Sequence, residues 1–267
     1  MNTQSISHDA QAGDASAATQ CLILAAGFGR RLVGPSGGFP KPLVQLHGQS
    51  LLEHVLSGAS RAGIREFIIV IGYEADLIRQ WFTERSFPGI SVTIVSNSDY
   101  AKDNGVSVLA AKEHIRDNFL LLMADHVFET RTARALLRER IAPGEVILAV
   151  DSKIDRVFDL DDATKVARRG DHIVAIGKQL TEYDAFDTGM FLCDRKLFEA
   201  LETAKVGGNC SLSDGMRILG LQGNLRAFDI GDAAWQDVDT PEALAYAETI
   251  FHQIAWPAGS AWRSLGA

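Results

Sequence analysis

Residues 21–43, CLILAAGFGRRLVGPSGGFPKPL, constrain this chain more tightly than any other stretch. Residues 21–26 are a short apolar run that stops at a glycine, which reads as a parallel strand buried on both faces and closed by a turn. Gly27 and Gly29 permit positive φ and a close approach of backbone to ligand. Successive N–H groups in such a turn converge on one point and suit phosphate oxygens. Arg30 and Arg31 follow directly, and Lys41 comes after a Gly/Pro-rich loop that cannot be regular structure. The stretch predicts a phosphate site beside the first strand, with mobile cations closing over it.

Beyond the loop, helical and strand periodicities alternate. Ser50 caps a predicted helix to about residue 62, with Glu53 three positions on completing a capping box. Residues 67–71 read as a continuous apolar strand, 74–85 as a helix and 92–95 as the next strand. This βαβαβ rhythm predicts a parallel sheet with helices on both faces. DNGVS at residues 103–107 follows the third strand, where open α/β sheets take ligands, and precedes a helix to about residue 113. Residues 119–124, FLLLMA, are the most apolar strand and end in Asp125-His126. Asp125 has two readings here: a metal ligand at the sheet edge, or the N-cap of a helix predicted from Thr130 to about residue 140.

A further strand is predicted at 145–150. Segments 165–168, 172–176 and 185–192 then read as short strands of a small antiparallel extension forming a wall of a substrate pocket. If 172–177 and the run holding Asp187-Thr188-Gly189 are adjacent strands, Lys178 and Asp187 share that wall. Helices follow at 194–203 and 213–221, then a strand at 225–230. A last helix opens with Pro241 at its first position and runs to about residue 254. The fold class expected is α/β, a doubly wound, mostly parallel mixed sheet.

Composition narrows the function classes. The 267 residues are 46% hydrophobic and 22% charged, enough for one large core. A net charge of −8 without a basic run argues against nucleic-acid binding, though a local cationic pocket still suits a phosphorylated ligand. No apolar segment approaches the roughly 18 residues that span a bilayer. Cys21, Cys193 and Cys210 are odd in number and unevenly spaced, so they read as reduced structural residues of a cytoplasmic protein. Residues 1–19 read as a disordered leader without signal-peptide pattern, 20–256 as the functional domain and 257–267 as a tail.

Asp125, Asp237 and Asp239 form an oxygen-only ligand set without His/Cys zinc spacing, which suits Mg²⁺. Cations for phosphate at Arg31 and Lys41, with carboxylates for Mg²⁺, are the parts that nucleotidyl transfer requires: in-line alignment and neutralisation of developing charge. Two other phosphate loops are excluded by spacing. A dinucleotide fingerprint needs a third glycine where Leu32 stands, and a Walker A loop needs Gly-Lys-Ser/Thr.

The pattern LAAGxGxRL followed by PKPL, carried by Leu24, Ala25, Ala26, Gly27, Gly29, Arg31, Leu32 and residues 40–43, resembles the signature of the nucleotidyltransferases. The DHV of residues 125–127, the ATK of 163–165, the IGK of 176–178, the DTG of 187–189 and the W-x-DVDT of 235–240 are similar to the inositol-1-phosphate cytidylyltransferases. That resemblance, over about residues 20–247, implies a Rossmann-like nucleotidyltransferase domain. In many members it is fused to a membrane-embedded alcohol phosphotransferase, a part not expected within these 267 residues.

It further implies that Leu24 to Gly27 and Gly29 line the nucleotide, that Arg31 and Lys41 hold the triphosphate of CTP, and that Asp125 and Asp237 bind Mg²⁺. Asp239 would be a further ligand or support one. Asn104 and Ser107 would lie near the cytidine, Lys178 would bind the acceptor phosphate, and Asp187 with Thr188 would reach the alcohol hydroxyls. Plainer readings stand beside these: Lys178 as a strand-end surface lysine, Asp187 as a turn residue, Asn104-Gly105 as a turn. The implied reaction is transfer of CMP from CTP to a phosphorylated polyol, inositol 1-phosphate, with release of pyrophosphate. Phosphocholine, a phosphonate or a sugar 1-phosphate is the alternative acceptor, and a non-catalytic nucleotide sensor the alternative class. A homodimer is left open.

Overall fold

The strand Gln20–Ala25 is buried along its whole length because both of its faces are covered. Leu22 and Leu24 join Phe119, Leu121, Phe191, Phe198 and Met216 in one apolar cluster. Cys21, Ile23 and Ala25 join Leu52, Val55, Ile78 and Leu136 in another. Alternate side chains of one strand thus feed two cores, which is why its sequence is apolar without alternation. This computed structural model describes residues 18–33, 39–154, 163–254 and 263–264. Most of the expected leader and tail, residues 34–38 of the expected Gly/Pro-rich loop and the stretch 155–162 lie outside the described residues.

Across the main sheet the order is Lys165–Arg169, His172–Gly177, Leu225–Asp229, Val146–Asp151, Ala185–Cys193, Phe119–Met123, Gln20–Ala25, Glu66–Ile71 and Ser91–Ser96. The last four run parallel, as the βαβαβ rhythm requires. Leu51–Ala62, Ala75–Thr83 and Thr130–Leu136 supply side chains to one core, and Lys196–Ala204 and Leu212–Leu221 to the other. The architecture is therefore an α/β mixed sheet with helices on both faces.

The antiparallel part differs from expectation in one respect that matters for function. Ala185–Cys193 is not an outlying strand: it is inserted at the centre, antiparallel to both Phe119–Met123 and Val146–Asp151. Nor does it pair with His172–Gly177: Lys165–Arg169, the end strand of the order above, pairs with both of them. Length alone could not distinguish an edge strand from a central one in a run of nine apolar-rich residues. The consequence follows from direction. The carboxyl ends of the parallel strands and the amino end of this reversed strand meet at one sheet edge, so Gly27, Asp125, Asp151 and Asp187 are gathered there.

Two local devices hold that edge. The register shifts between Asp187 and Phe191, and within the bulge Gly189 adopts φ +73°. A Cβ at Gly189 would lie 2.7 Å from the His126 ring, so only glycine allows the strand to pass there. The short strands His126–Phe128 and Trp235–Asp237 pair antiparallel with Asp237 opposite His126, which draws the two aspartate loops together.

Helix starts were half legible. Ser50 accepts from the Glu53 N–H at 3.2 Å, but the Glu53 carboxylate is bonded by Gln49 Nε2 at 3.0 Å, so the predicted box is only half made. The complete box lies at Ser211 and Asp214. All three cysteines are buried and free, and burial pushes their thiols up, as inert structural residues require. Among the described residues no helix is long and apolar enough to cross a membrane.

Candidate active site

Lys41 opens a single 3₁₀ turn, Lys41–Leu43, and is 4% exposed. Its ammonium is therefore fixed rather than free to sweep over the site. Lys41 Nζ lies 2.6 Å from Asp125 Oδ2 and 3.7 Å from Asp237 Oδ1, and it also donates to Asp239. Asp239 accepts from Arg31 as well. Five of the predicted residues, Arg31, Lys41, Asp125, Asp237 and Asp239, thus form one cluster at the sheet edge. Gly29 supports it: its φ is +59°, and a Cβ there would meet Lys41 Cβ at 2.3 Å. The expectation of positive φ fails at Gly27, where an added Cβ would meet nothing within 4 Å; of the two, only Gly29 needs to be glycine.

The cluster's electrostatics are dominated by burial and by mutual charge. Burial opposes the Lys41 charge, but Asp125, Asp237 and Asp239 hold its pKa above the ordinary lysine value. Burial likewise opposes Asp125 ionisation, yet Lys41 and His126 keep it well below the usual carboxylate range. Asp237 is pushed up to about 6 by burial and by the Asp125 charge, with His126 and Lys41 acting the other way. His126 Nδ1 donates to Asp125 Oδ1 at 2.8 Å, and its Nε2 lies 3.8 Å from Asp237 Oδ2. Burial would lower its pKa, but these two carboxylates raise it to about 9.

The helix-cap reading of Asp125 is overturned. The helix Thr130–Leu136 begins after Glu129, so Asp125 is too far from its first turn to cap it. A divalent ion fits what is present instead. Asp237 Oδ1 is buried without a hydrogen bond, and Asp125, His126 and Asp237 offer atoms within 4.8 Å of one another. Two carboxylates converging on a cation, with a third beside them, are the oxygen donors that Mg²⁺ accepts.

A cleft of about 540 Å³ extends from this cluster and is bordered by Asn104, Asp125, Lys178, Asp187, Trp235 and Asp237 among others. Lys178 and Asp187 thus share a cavity although their strands are not neighbours. Asp187 Oδ1 accepts from the Gly189 N–H at 2.7 Å, and burial pushes its carboxyl up to about 6. A folded-state pKa above the unfolded one means ionised Asp187 destabilises the fold as pH rises toward 6 and beyond. Asp187→Asn is therefore expected to raise the urea midpoint at pH 8, and the gain should fade as pH falls toward about 4, the unfolded value. Equal midpoints at pH 8 would show that Asp187 is solvated.

Other predicted residues turn away from the cleft. Thr188 donates to the Ala149 carbonyl at 2.8 Å and is 4% exposed, so it braces the bulge rather than meeting a ligand. Ser107 is buried and accepts from Asn97 Nδ2 at 2.9 Å. Asn104 borders the cleft, but its Oδ1 accepts from the Leu212 N–H at 2.8 Å, so the donor side of the amide is what it can present to a base. Leu24, Ala25 and Ala26 have buried side chains, and the Leu24 and Ala26 carbonyls accept from the Ala124 and Tyr73 N–H groups at 3.0 Å. Sequence reasoning missed Asp151, Lys153 and the role of Trp235. Asp151 could have been found, since it ends an apolar strand at the same edge as Asp125 does.

An open mixed sheet that sets a glycine turn, a buried lysine and three aspartates at one edge defines the nucleotidyltransferase class of fold. Residues 21–218 match the MobA-like NTP transferase domain, and the chain belongs to that family. It is 36% identical over 238 residues to a bifunctional IPC transferase and DIPP synthase of Rubrobacter xylanophilus, covering 88% of this chain and 52% of that one. A protein of the same description from Archaeoglobus fulgidus is 34% identical over 223 residues, covering 84% and 42%. The chain thus spans about half the length of these curated relatives. The solved inositol-1-phosphate CTP transferase from T. maritima shares the fold, with a TM-score of 0.79 at 24% identity over 90% of this chain and 98% of that one.

Proposed function

We propose that residues 20–256 act as one cytoplasmic cytidylyltransferase domain that transfers CMP from CTP to inositol 1-phosphate and releases pyrophosphate. One observation carries this reading: the carboxylates of Asp125, Asp237 and Asp239, which hold Lys41, border the same cleft as Lys178 and Asp187. A nucleotide's phosphates and a phosphorylated polyol could therefore meet in line across one cavity. The relatives' description as IPC transferases supports the same substrate class.

Arg31 and Lys41 would neutralise the triphosphate, and Asp125 and Asp237, supported by Asp239, would hold Mg²⁺. When bound, the metal would supply charge neutralisation on the transferred phosphoryl group. The acceptor phosphate is already ionised at neutral pH, so no general base is required of this chain. Lys178 would orient that phosphate, and Asp187 would accept hydrogen bonds from ring hydroxyls. A nucleotide sensor would have no need of a complete metal and phosphate set.

The test is a pyrophosphate-release screen of the four ribonucleoside triphosphates against phosphorylated alcohols. CTP with inositol 1-phosphate should lead, and Lys178→Ala should raise the acceptor KM about tenfold or more with little change for CTP. Equal turnover of UTP or a purine triphosphate would refute the cytidylyl assignment. Preference for phosphocholine over every polyol phosphate would refute the acceptor.

A further inference from the structure

One ion pair in this region, with its carboxylate buried and its ammonium partly exposed, lies outside the cation and carboxylate cluster described above. Asp151 is 3% exposed and ends the strand Val146–Asp151. Its Oδ1 accepts from the Lys153 N–H at 2.9 Å and lies 2.7 Å from Lys153 Nζ. Its Oδ2 accepts from Trp235 Nε1 at 2.8 Å. Lys153 Nζ also donates to the Gly231 carbonyl at 2.6 Å and the Ala233 carbonyl at 3.2 Å. The pair therefore ties the loop that leads into Trp235 to the end of a core strand. A buried pair gains little net stability, because desolvation offsets its attraction. What this one secures is the orientation of a single indole.

That indole is half-buried and borders the cleft with Lys178 and Asp187. It lies nearly parallel to His126, at 9° with 5.9 Å between centroids. With its N–H held by Asp151, the ring has only apolar surface to offer the cavity.

We propose that Trp235 is the platform for the acceptor's ring, taking the C–H face of a hydroxylated ring while Asp187 accepts from its hydroxyls, and that Asp151 and Lys153 are positioning residues for the indole. The inference rests on the polyol reading above. A cyclic polyol carries C–H groups on its faces and hydroxyls around its rim, which matches one apolar wall and one carboxylate. An open-chain aminoalkyl acceptor has no such face.

The test uses the full chain with Mg²⁺, CTP and inositol 1-phosphate. Trp235→Ala should raise the acceptor KM about tenfold or more and leave the CTP KM within about twofold, while Trp235→Phe, which keeps an aromatic ring, restores most of the loss. Asp151→Asn, which breaks the Lys153 pair, should raise the acceptor KM alone. Joint elevation of both KM values, or an unchanged acceptor KM in a cooperatively melting Trp235→Ala variant, overturns the proposal. Should Trp235→Ala not fold, Asp151→Asn decides by the same criterion. If the wild type rejects inositol 1-phosphate but uses another acceptor, the polyol reading fails separately. The variants are then assayed with that acceptor, and an equal KM rise for a ringless one overturns the platform.

Discussion

Asp237→Ala is expected to lower kcat by about a hundred- to a thousandfold while the protein keeps a cooperative melt, and Asp125→Ala should do the same. Each carboxylate faces Lys41 at the sheet edge, with side-chain exposures of 27% for Asp125 and 33% for Asp237, outside both apolar cores. Removing either leaves the core contacts untouched. It takes away half of the pair proposed to hold the metal against the transferred phosphoryl group. Asp125→Asn should be nearly as inactive, because the amide keeps the shape but not the charge. Steady-state rates with calorimetric melting of each variant check this. A variant that melts without cooperativity would return Asp125 to a structural role, and one with wild-type kcat would remove it from the chemistry.

Lys41→Met should cost stability as well as activity. The ammonium is the cation on which Asp125, Asp237 and Asp239 converge, and it is almost fully buried. Without it three carboxylates face one another, and breaking a buried pair by removing one partner costs about 3–5 kcal/mol. Mg²⁺ should restore part of that loss in the variant by occupying the same carboxylates, while stabilising the wild type less because Lys41 competes for them. Urea unfolding with and without millimolar Mg²⁺ reads both effects. An equal response of variant and wild type would show that Lys41 and the metal do not share these ligands.

Much of the chemistry was legible because it is written as short-range pattern. The strand–glycine turn, the PKPL segment and the aspartates that end strands or follow them declare their residue types and their edge of the sheet without tertiary knowledge. Arg31, Lys41, Asp125, Asp237 and Asp239 were all named from sequence, and the structure brings all five into contact. Thr188 and Ser107 show where such reading stops. Each sits in the right motif, but one hydrogen bond apiece turns it toward the backbone or a buried asparagine. Direction of a side chain depends on the local register, and a bulge such as the one after Asp187 changes it.

Sequence by itself determined the α/β class, the parallel half of the sheet and the cation and carboxylate composition of its edge, since strand burial and turn chemistry are local properties of composition and period. The tertiary structure alone decided that Ala185–Cys193 enters the centre of the sheet antiparallel to its neighbours, which brings Asp187 to the edge where the aspartates lie. It alone decided that Asp151 grips the Trp235 indole from 84 positions away while Lys153 holds the loop before it. Strand order and long-range hydrogen bonds are fixed by which apolar faces find cover and which buried polar groups find partners, and those are properties of the whole assembled core.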